Sequence, residues 1–225
     1  MTRKLLRGRV LSFTSEPQGP EDTDAFDYVE DGALIIVDGM IEAVGTFDDL
    51  SARAGGAEVV DHRPHLLMPG FIDTHIHFPQ VQVIASWGAQ LLDWLNTYTF
   101  PEEMKFADPA YAGEIAGRYL DLTAAHGTTT MCSFCTIHPT SVDAIFAAAQ
   151  ARGQRVVAGK TCMDRNAPDG LRDTAQSAYD DSKALLNRWH GVDRLSYAIT
   201  PRFSPTSTPD QLRALGRCGQ STPIA

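Results

Sequence analysis

Short apolar runs separated by polar turns dominate the first 65 residues of the chain. Each run has the length of a β-strand, and Asp38-Gly39 between two of them is a dipeptide typical of a tight hairpin turn. The segment 16–27 is rich in Pro, Gly and acidic residues, which favours a solvated loop. We therefore predict a small β-structure for residues 1–65. Its predicted strands are 5–13, 33–37, 40–45 and 58–61.

From Leu66 onwards, the pattern changes to apolar strands that alternate with longer amphipathic segments. This order is typical of an α/β fold with a parallel sheet. The predicted strands are 66–74, 128–134, 155–161 and 195–200, with a fifth starting at 223. The predicted helices are 109–125, 140–151, 173–189 and 209–217.

Local signals set three of the predicted boundaries after residue 78. Thr140 or Ser141 is expected to cap the second helix, Gly153 to end it, and Gly219 to end the fourth. The segment 79–108 contains several aromatic residues and is predicted to be a packed loop.

The first of these strands leads into the motif His75-Ile76-His77. Side chains alternate along a strand, so His75 and His77 are expected on one face and Ile76 on the other. Two imidazoles at a strand end supply half of a transition-metal site. The carboxyl ends of parallel strands are also where α/β barrels hold their catalytic residues. We therefore predict that His75 and His77 bind a divalent metal.

Five segments of the chain together resemble the guanine deaminases of the amidohydrolase superfamily. The His-x-His strand is similar to the first metal-binding strand of the superfamily, and the other segments indicate the guanine-specific branch. The segments are Pro69–His77, Phe78–Gln80, Leu92–Pro101, Cys162–Pro168 and Thr200–Phe203.

The resemblance implies a (β/α)8 TIM-type barrel, preceded by part of a β-sandwich. A complete barrel needs about 250 residues, and only the first four βα units are identified here. We therefore expect residues 1–65 to be an N-terminal β-sandwich portion and 66–225 to be the first half of a metal-dependent barrel. The chain is interpreted as the N-terminal half of a deaminase, as either a truncated product or an incomplete sequence.

The resemblance also implies the chemistry. It predicts hydrolysis of guanine to xanthine and ammonia by a water that one Zn²⁺ per subunit activates, with Fe²⁺ as the alternative metal. The further metal ligands of the family, and the Glu and Asp that move protons, are expected beyond the end of this chain. A homodimer is expected for the full-length protein.

Substrate recognition is expected to rest on residues that are present. Arg202 carries only hydrogen-bond donors, so it suits the O6 acceptor of guanine and opposes the amine of adenine. Gln80 offers a donor and an acceptor to an adjacent ring edge, and Phe203 and Trp87 could stack on the purine.

Composition restricts the remaining function classes. The formal net charge of −9 argues against nucleic acid and anionic membranes as partners. The N-terminus lacks the apolar run of a signal peptide, so a cytoplasmic protein is expected. Cys132 and Cys135 are predicted to be reduced thiols in the core.

Two alternatives to a guanine deaminase stay open at this point. One is another aminohydrolase of the superfamily that acts on a different purine, a pyrimidine or a triazine. The other is a catalytically inactive truncated product. Assays with a panel of amino-heterocycles would distinguish a guanine deaminase from the first alternative. The reading frame after Ala225 would distinguish it from the second, since a downstream His-x-His strand with a nearby Glu would restore the enzyme and a stop codon would not.

Overall fold

The computed structural model of the protein describes residues 2–220. The chain divides into two compact units between Pro69 and Gly70. The predicted fifth strand, which begins at 223, lies outside the described residues. Over the described range, no helix is both long and apolar enough to cross a membrane.

The first unit contains a four-stranded sheet in the order β3-β2-β1-β4. β1 pairs antiparallel with β2 and parallel with β4. Asp38 and Gly39 both have positive φ angles, +48° and +81°, so the predicted hairpin turn is confirmed. The strands are β1 (Arg3–Phe13), β2 (Phe26–Val37), β3 (Met40–Thr46) and β4 (Glu58–Leu67).

One helix of the first unit was not predicted. Helix α1 (Phe47–Arg53) is capped by Thr46, whose hydroxyl accepts a hydrogen bond from the backbone nitrogen of Asp49. Leu50 on this helix packs with Leu5 and Ile35 in a small apolar core. The helix has seven residues, and such a short segment shows too few turns for a helical period to be read from sequence.

The second unit contains a parallel sheet in the order β5-β6-β7-β9, which confirms the predicted α/β class. The main core of this unit lies among Ile115, Tyr119, Met131, Phe146 and Val156, all essentially inaccessible to solvent. The strands are β5 (Phe71–His77), β6 (Thr128–Phe134), β7 (Arg155–Gly159), β8 (Thr161–Cys162), β9 (Leu195–Tyr197) and β10 (Thr200–Pro201).

The segment 79–108 is largely helical, and the prediction of a loop is therefore wrong. Short helices follow one another there, with a π-helical turn between two α-helical pieces, so no single apolar period is long enough to read. The pieces are Phe78–Val83 (3₁₀), α2 (Leu91–Trp94), Leu95–Thr99 (π), α3 (Phe100–Met104) and Lys105–Ala107 (3₁₀).

The remaining helices follow the prediction with corrected ends. Helix α5 begins after His138 with Pro139 in its first turn, so neither Thr140 nor Ser141 is the cap. Gly153 ends that helix with φ +67°, as predicted. Gly219 does not end the last helix. The helices are α4 (Pro109–Ala125), α5 (Pro139–Arg152), α6 (Ala175–Trp189) and α7 (Pro209–Gln220), with 3₁₀ turns at Thr23–Ala25, Asp169–Leu171 and Ser204–Thr206.

The predicted third and fourth strands are each split in two. β7 ends at Gly159 and β8 starts at Thr161, while β9 ends at Tyr197 and β10 starts at Thr200. β8 and β10 form a separate two-stranded parallel pair. The split lies where the backbone of Gly159 closely approaches the segment between β9 and β10. A Cβ atom at Gly159 would lie 2.0 Å from the carbonyl oxygen of Ala198.

We expect Gly159→Ala to lower the free energy of unfolding by about 1–3 kcal/mol, because the added methyl group must displace a backbone carbonyl. Gly113→Ala in α4 is the matched control, since its added Cβ would meet no atom within 4 Å. That control should stabilise the protein by about 0.5–1 kcal/mol through helix propensity. Urea denaturation monitored by circular dichroism measures both, and equal stability of the two variants would contradict the prediction.

Candidate active site

The two histidines lie in the last three residues of β5. The strand begins only at Phe71, because Pro69 and Gly70 interrupt the predicted strand, and it includes both imidazoles. The register against β6 shifts between Asp73 and Ile76, so one extra residue lies in β5. Asp73 Oδ1 accepts a hydrogen bond of 3.1 Å from the backbone nitrogen of His75 within this bulge. β-Bulges commonly redirect side chains next to active sites.

Both imidazoles of the motif are close together, and they share Phe134 as a neighbour. The ring centroids of His75 and His77 are 5.5 Å apart, and the His77 ring stacks on Phe134 at 4.7 Å. The predicted placement of the two histidines on one face therefore agrees with the geometry.

His77 has the properties of a metal ligand. Its Nδ1 atom is buried and has no hydrogen-bond partner among the described residues. Burial, with smaller contributions from the charges of Arg202 and His75, lowers the pKa of His77 to about 4. The ring is therefore neutral near pH 7, and a neutral imidazole is the form that coordinates metals. A buried nitrogen without a partner fits a ligand that the protein atoms do not supply.

Two histidines do not complete a metal site. Between residues 2 and 220, no group of three or more His, Cys, Asp or Glu side chains is placed to hold a metal ion. Asp164 accepts hydrogen bonds from the backbone nitrogen and the hydroxyl of Thr208, so its carboxylate is engaged at the start of α7. Catalytic zinc sites use three protein ligands, so further ligands are needed beyond these two.

A cavity of about 310 Å³ brings five of the six predicted site residues together. Aromatic and aliphatic side chains also line it, including Trp94 and Phe134. Trp87 does not line this cavity, and 79% of its surface is exposed to solvent. The predicted residues in the cavity are His75, His77, Gln80, Arg202 and Phe203.

Arg202 is held in a buried ion pair. Its Nη1 donates to Glu103 Oε2 at 2.7 Å, and the side chains of Arg202 and Glu103 are only 6% and 0% exposed. The guanidinium also lies 5.4 Å from the ring centroid of Phe100, which is a cation–π distance. Gln80 Nε2 donates a longer bond of 3.4 Å to the other oxygen of Glu103.

Glu103, Trp94 and Phe134 were not identified from the sequence. Glu103 follows another glutamate in the first turn of a helix, where acidic residues are common for electrostatic reasons alone. The usable signal was indirect, since an arginine placed at a buried site requires a compensating carboxylate.

Burial makes three of the four thiols of this unit poor nucleophiles. Cys135, Cys162 and Cys218 are buried, whereas Cys132 is exposed, so the prediction of a buried Cys132 is wrong. Successive residues of β6 point to opposite faces, and Met131 occupies the buried face. Burial raises the pKa of the Cys162 thiol to about 11. The site therefore offers imidazoles, a guanidinium and an amide rather than a thiolate.

The chain resembles known proteins over most of its length. It is 44% identical to guanine deaminase of Escherichia coli over 224 residues. The aligned region covers 99% of this chain and 51% of that relative. Crystal structures of guanine deaminases from Bradyrhizobium japonicum and C. acetobutylicum, the second with guanine bound in its active site, match with TM-scores of 0.96 and 0.84. The Bradyrhizobium japonicum protein is 37% identical, and the match covers 100% of this chain and 49% of that protein. The C. acetobutylicum protein is 29% identical, and the match covers 98% of this chain and 51% of that protein.

The chain thus spans about half the length of the curated relatives that it matches. The profile of the amidohydrolase family matches residues 66–217, which include both histidines and Arg202. This match covers more than half of the chain and the whole parallel sheet. The protein therefore belongs to the amidohydrolase family.

Proposed function

We propose that this chain is the N-terminal half of an enzyme that hydrolyses guanine to xanthine and ammonia. The observation that carries the proposal is a single cavity lined by His75 and His77, the two candidate metal ligands, and by Arg202, whose buried guanidinium is held in an ion pair. Similarity to guanine deaminases over 99% of the chain supports the same activity.

The proposed architecture is the first half of a (β/α)8 barrel. Its support is the order of the parallel sheet, in which β5, β6, β7 and β9 pair successively along the chain with a helix between them. Within residues 2–220, β5 pairs only with β6, and β9 pairs only with β7. A closed barrel would supply a second neighbour for each of these strands. The sheet of the first unit is proposed as part of a β-sandwich.

Zinc is the proposed metal, with Fe²⁺ as the alternative. His75 and His77 would be two of its ligands, and the partnerless Nδ1 of His77 supports this assignment. When bound, zinc would lower the pKa of a water toward about 7, which would make that water a nucleophile for the amine-bearing ring carbon at neutral pH. The half-buried Phe134 ring stacks on the His77 imidazole and would help to orient it toward the metal.

The chain's own residues would bind and orient the purine. Arg202 would donate to the O6 carbonyl, since a guanidinium has five donors and the pair with Glu103 uses the Nη1 group. Phe203 lines the same cavity and would stack on the ring, as would Trp94. The stacking role predicted for Trp87 needs this exposed ring to move toward the cavity, and it stays a prediction.

The partners proposed are a small purine and a second copy of the full-length protein in the cytoplasm. The net charge of −9 supports the absence of nucleic-acid and membrane partners.

The test compares two proteins. The first is the 225-residue chain, and the second is the same chain joined to the remaining half of the Escherichia coli relative. We expect the second to release ammonia and xanthine from guanine. We expect the first to be inactive, because its described residues supply only two metal ligands and leave two sheet edges unpaired. Robust ammonia release by a mass-verified 225-residue chain would contradict this expectation.

A panel of amino-heterocycles tests the substrate itself. Turnover of adenine, a pyrimidine or a triazine in place of guanine by the joined protein would favour another aminohydrolase activity. If the joined protein binds metal but turns over none of these compounds, the alternative that this chain is a catalytically inactive product would be favoured.

A further inference from the structure

A buried carboxylate lies directly behind the candidate active site. Glu103 is fully buried, and each of its two oxygens contacts a different residue of the cavity wall. Oε2 accepts from Arg202 Nη1 at 2.7 Å, and Oε1 accepts from Gln80 Nε2 at 3.4 Å. Glu103 itself does not line the cavity. It therefore contacts both wall residues without lining the cavity itself.

The charge of Glu103 determines which end of the Gln80 amide faces it. A carboxylate only accepts hydrogen bonds, so it attracts the amide nitrogen and repels the amide oxygen. Gln80 Nε2 accordingly lies 3.4 Å from Glu103 Oε1, and this orientation leaves Gln80 Oε1 able to accept a hydrogen bond from a ligand. Gln80 is thereby fixed as a hydrogen-bond acceptor for a ligand.

The same carboxylate fixes the position of the Arg202 guanidinium. The guanidinium is nearly inaccessible, and an unpaired charge at that burial is strongly unfavourable. The pair with Glu103 and the ring of Phe100 hold the planar group in one position. Its remaining donors then need no further rearrangement when a ligand binds.

The preceding residue provides a natural comparison. Glu102 is also buried, but its carboxylate binds Lys105 Nζ at 2.6 Å and the hydroxyl of Tyr111. None of these three residues lines the cavity. Two adjacent buried glutamates of α3 therefore have different environments, and only Glu103 contacts the predicted recognition residues.

We propose that Glu103 is a positioning residue that sets the hydrogen-bond pattern of the cavity. Through Glu103, Arg202 is presented as the donor to a ring carbonyl and Gln80 as the acceptor for a ligand N–H group. The preferred ligand class is therefore an oxo-substituted heterocycle with a free N–H. This inference rests on the proposed function for the assignment of Arg202 and Gln80 to substrate binding.

The test uses the complete protein, meaning this chain with any sequence that its gene encodes after Ala225. The probes are hypoxanthine, which has the carbonyl but no exocyclic amine to lose, and purine, which lacks the carbonyl. Calorimetry gives the ratio of their dissociation constants. We expect Glu103→Gln to reduce the preference for hypoxanthine by about 10- to 150-fold, the ratio that corresponds to one charged hydrogen bond. Glu102→Gln should leave the preference unchanged.

A second readout follows Arg202 without any ligand. Nitrogen-15 NMR of the arginine side chains, with the Arg202 signals assigned by their loss in Arg202→Lys, reports whether the guanidinium rotates. We expect separate Nη signals in the parent protein and in Glu102→Gln. In Glu103→Gln, we expect these signals to merge. This readout separates the two proposals, because it tests the positioning by Glu103 even when the protein does not deaminate guanine.

Glu103→Asp covers the case in which Glu103→Gln does not fold. It retains the charge but is one methylene shorter, so it cannot reach both Arg202 and Gln80 in their present positions. We expect a reduced hypoxanthine preference with a normal metal content. Unchanged preference and unchanged Arg202 signals in either folded Glu103 variant would overturn the proposal. Equal losses in the Glu102 and Glu103 variants would also overturn it, because they would indicate a general structural effect.

Discussion

Replacing His77 with alanine is expected to remove most of the metal and the guanine-hydrolysing activity that we propose for the full-length protein. The side chain is largely buried, its Nδ1 lacks a protein partner, and its ring is neutral near pH 7. His75→Ala should have the same effect, because both rings lie at the end of one strand, 5.5 Å apart. Plasma mass spectrometry gives the metal per chain, and ammonia release gives the activity.

His126→Ala is the matched control for these variants. His126 is an exposed histidine whose Nδ1 contacts the carbonyl oxygen of Leu122 at the end of α4, and it does not line the cavity that contains His75 and His77. It should keep its metal and activity. If His75→Ala and His77→Ala both retained a normal metal content, the assignment of these two residues as ligands would be wrong.

The sequence predicted the regular parts of the fold because their signals are local. β6 and α4 have the predicted bounds, and the Asp38-Gly39 turn has the predicted positive φ angles. The split near Gly159 was not predictable, since it depends on the close approach of Ala198, which is distant in sequence. The short helices between Phe78 and Ala107 were missed because each offers only one or two turns of apolar pattern.

Residues of the candidate site could be predicted where local sequence spacing alone determines their relative placement. His75 and His77 could be placed together from strand alternation alone, and Arg202 from its position after a strand. Glu103 could not, because its role arises from a contact between residues 99 positions apart in the chain. Trp87 was expected at the cavity as an aromatic residue of the same segment, whereas the tryptophan that lines the cavity is Trp94. Composition cannot distinguish two tryptophans in one segment.

Arg202→Ala is expected to lower kcat/KM for guanine by about 10- to 150-fold or more, which corresponds to the loss of one charged hydrogen bond of about 1.5–3 kcal/mol. Arg202→Lys should recover only part of this loss, because an ammonium group lacks the planar fork that Glu103 and Phe100 hold in place. The metal content should be unchanged in both variants, since arginine is not a ligand. Steady-state kinetics with guanine and adenine, together with metal analysis, measure these effects.

Two comparisons separate recognition by Arg202 from a loss of folding. Arg202→Ala leaves Glu103 buried without its ion-pair partner, so the melting temperature should fall as well. Arg165→Ala is the control, because the side chain of this exposed arginine donates to the carbonyl oxygen of Ser204 and does not line the cavity. The decisive quantity is the ratio of kcat/KM for guanine to that for adenine, which instability alone would not change. Full guanine activity in Arg202→Ala, or a loss of activity that tracks only a loss of metal, would show that Arg202 does not bind the purine carbonyl.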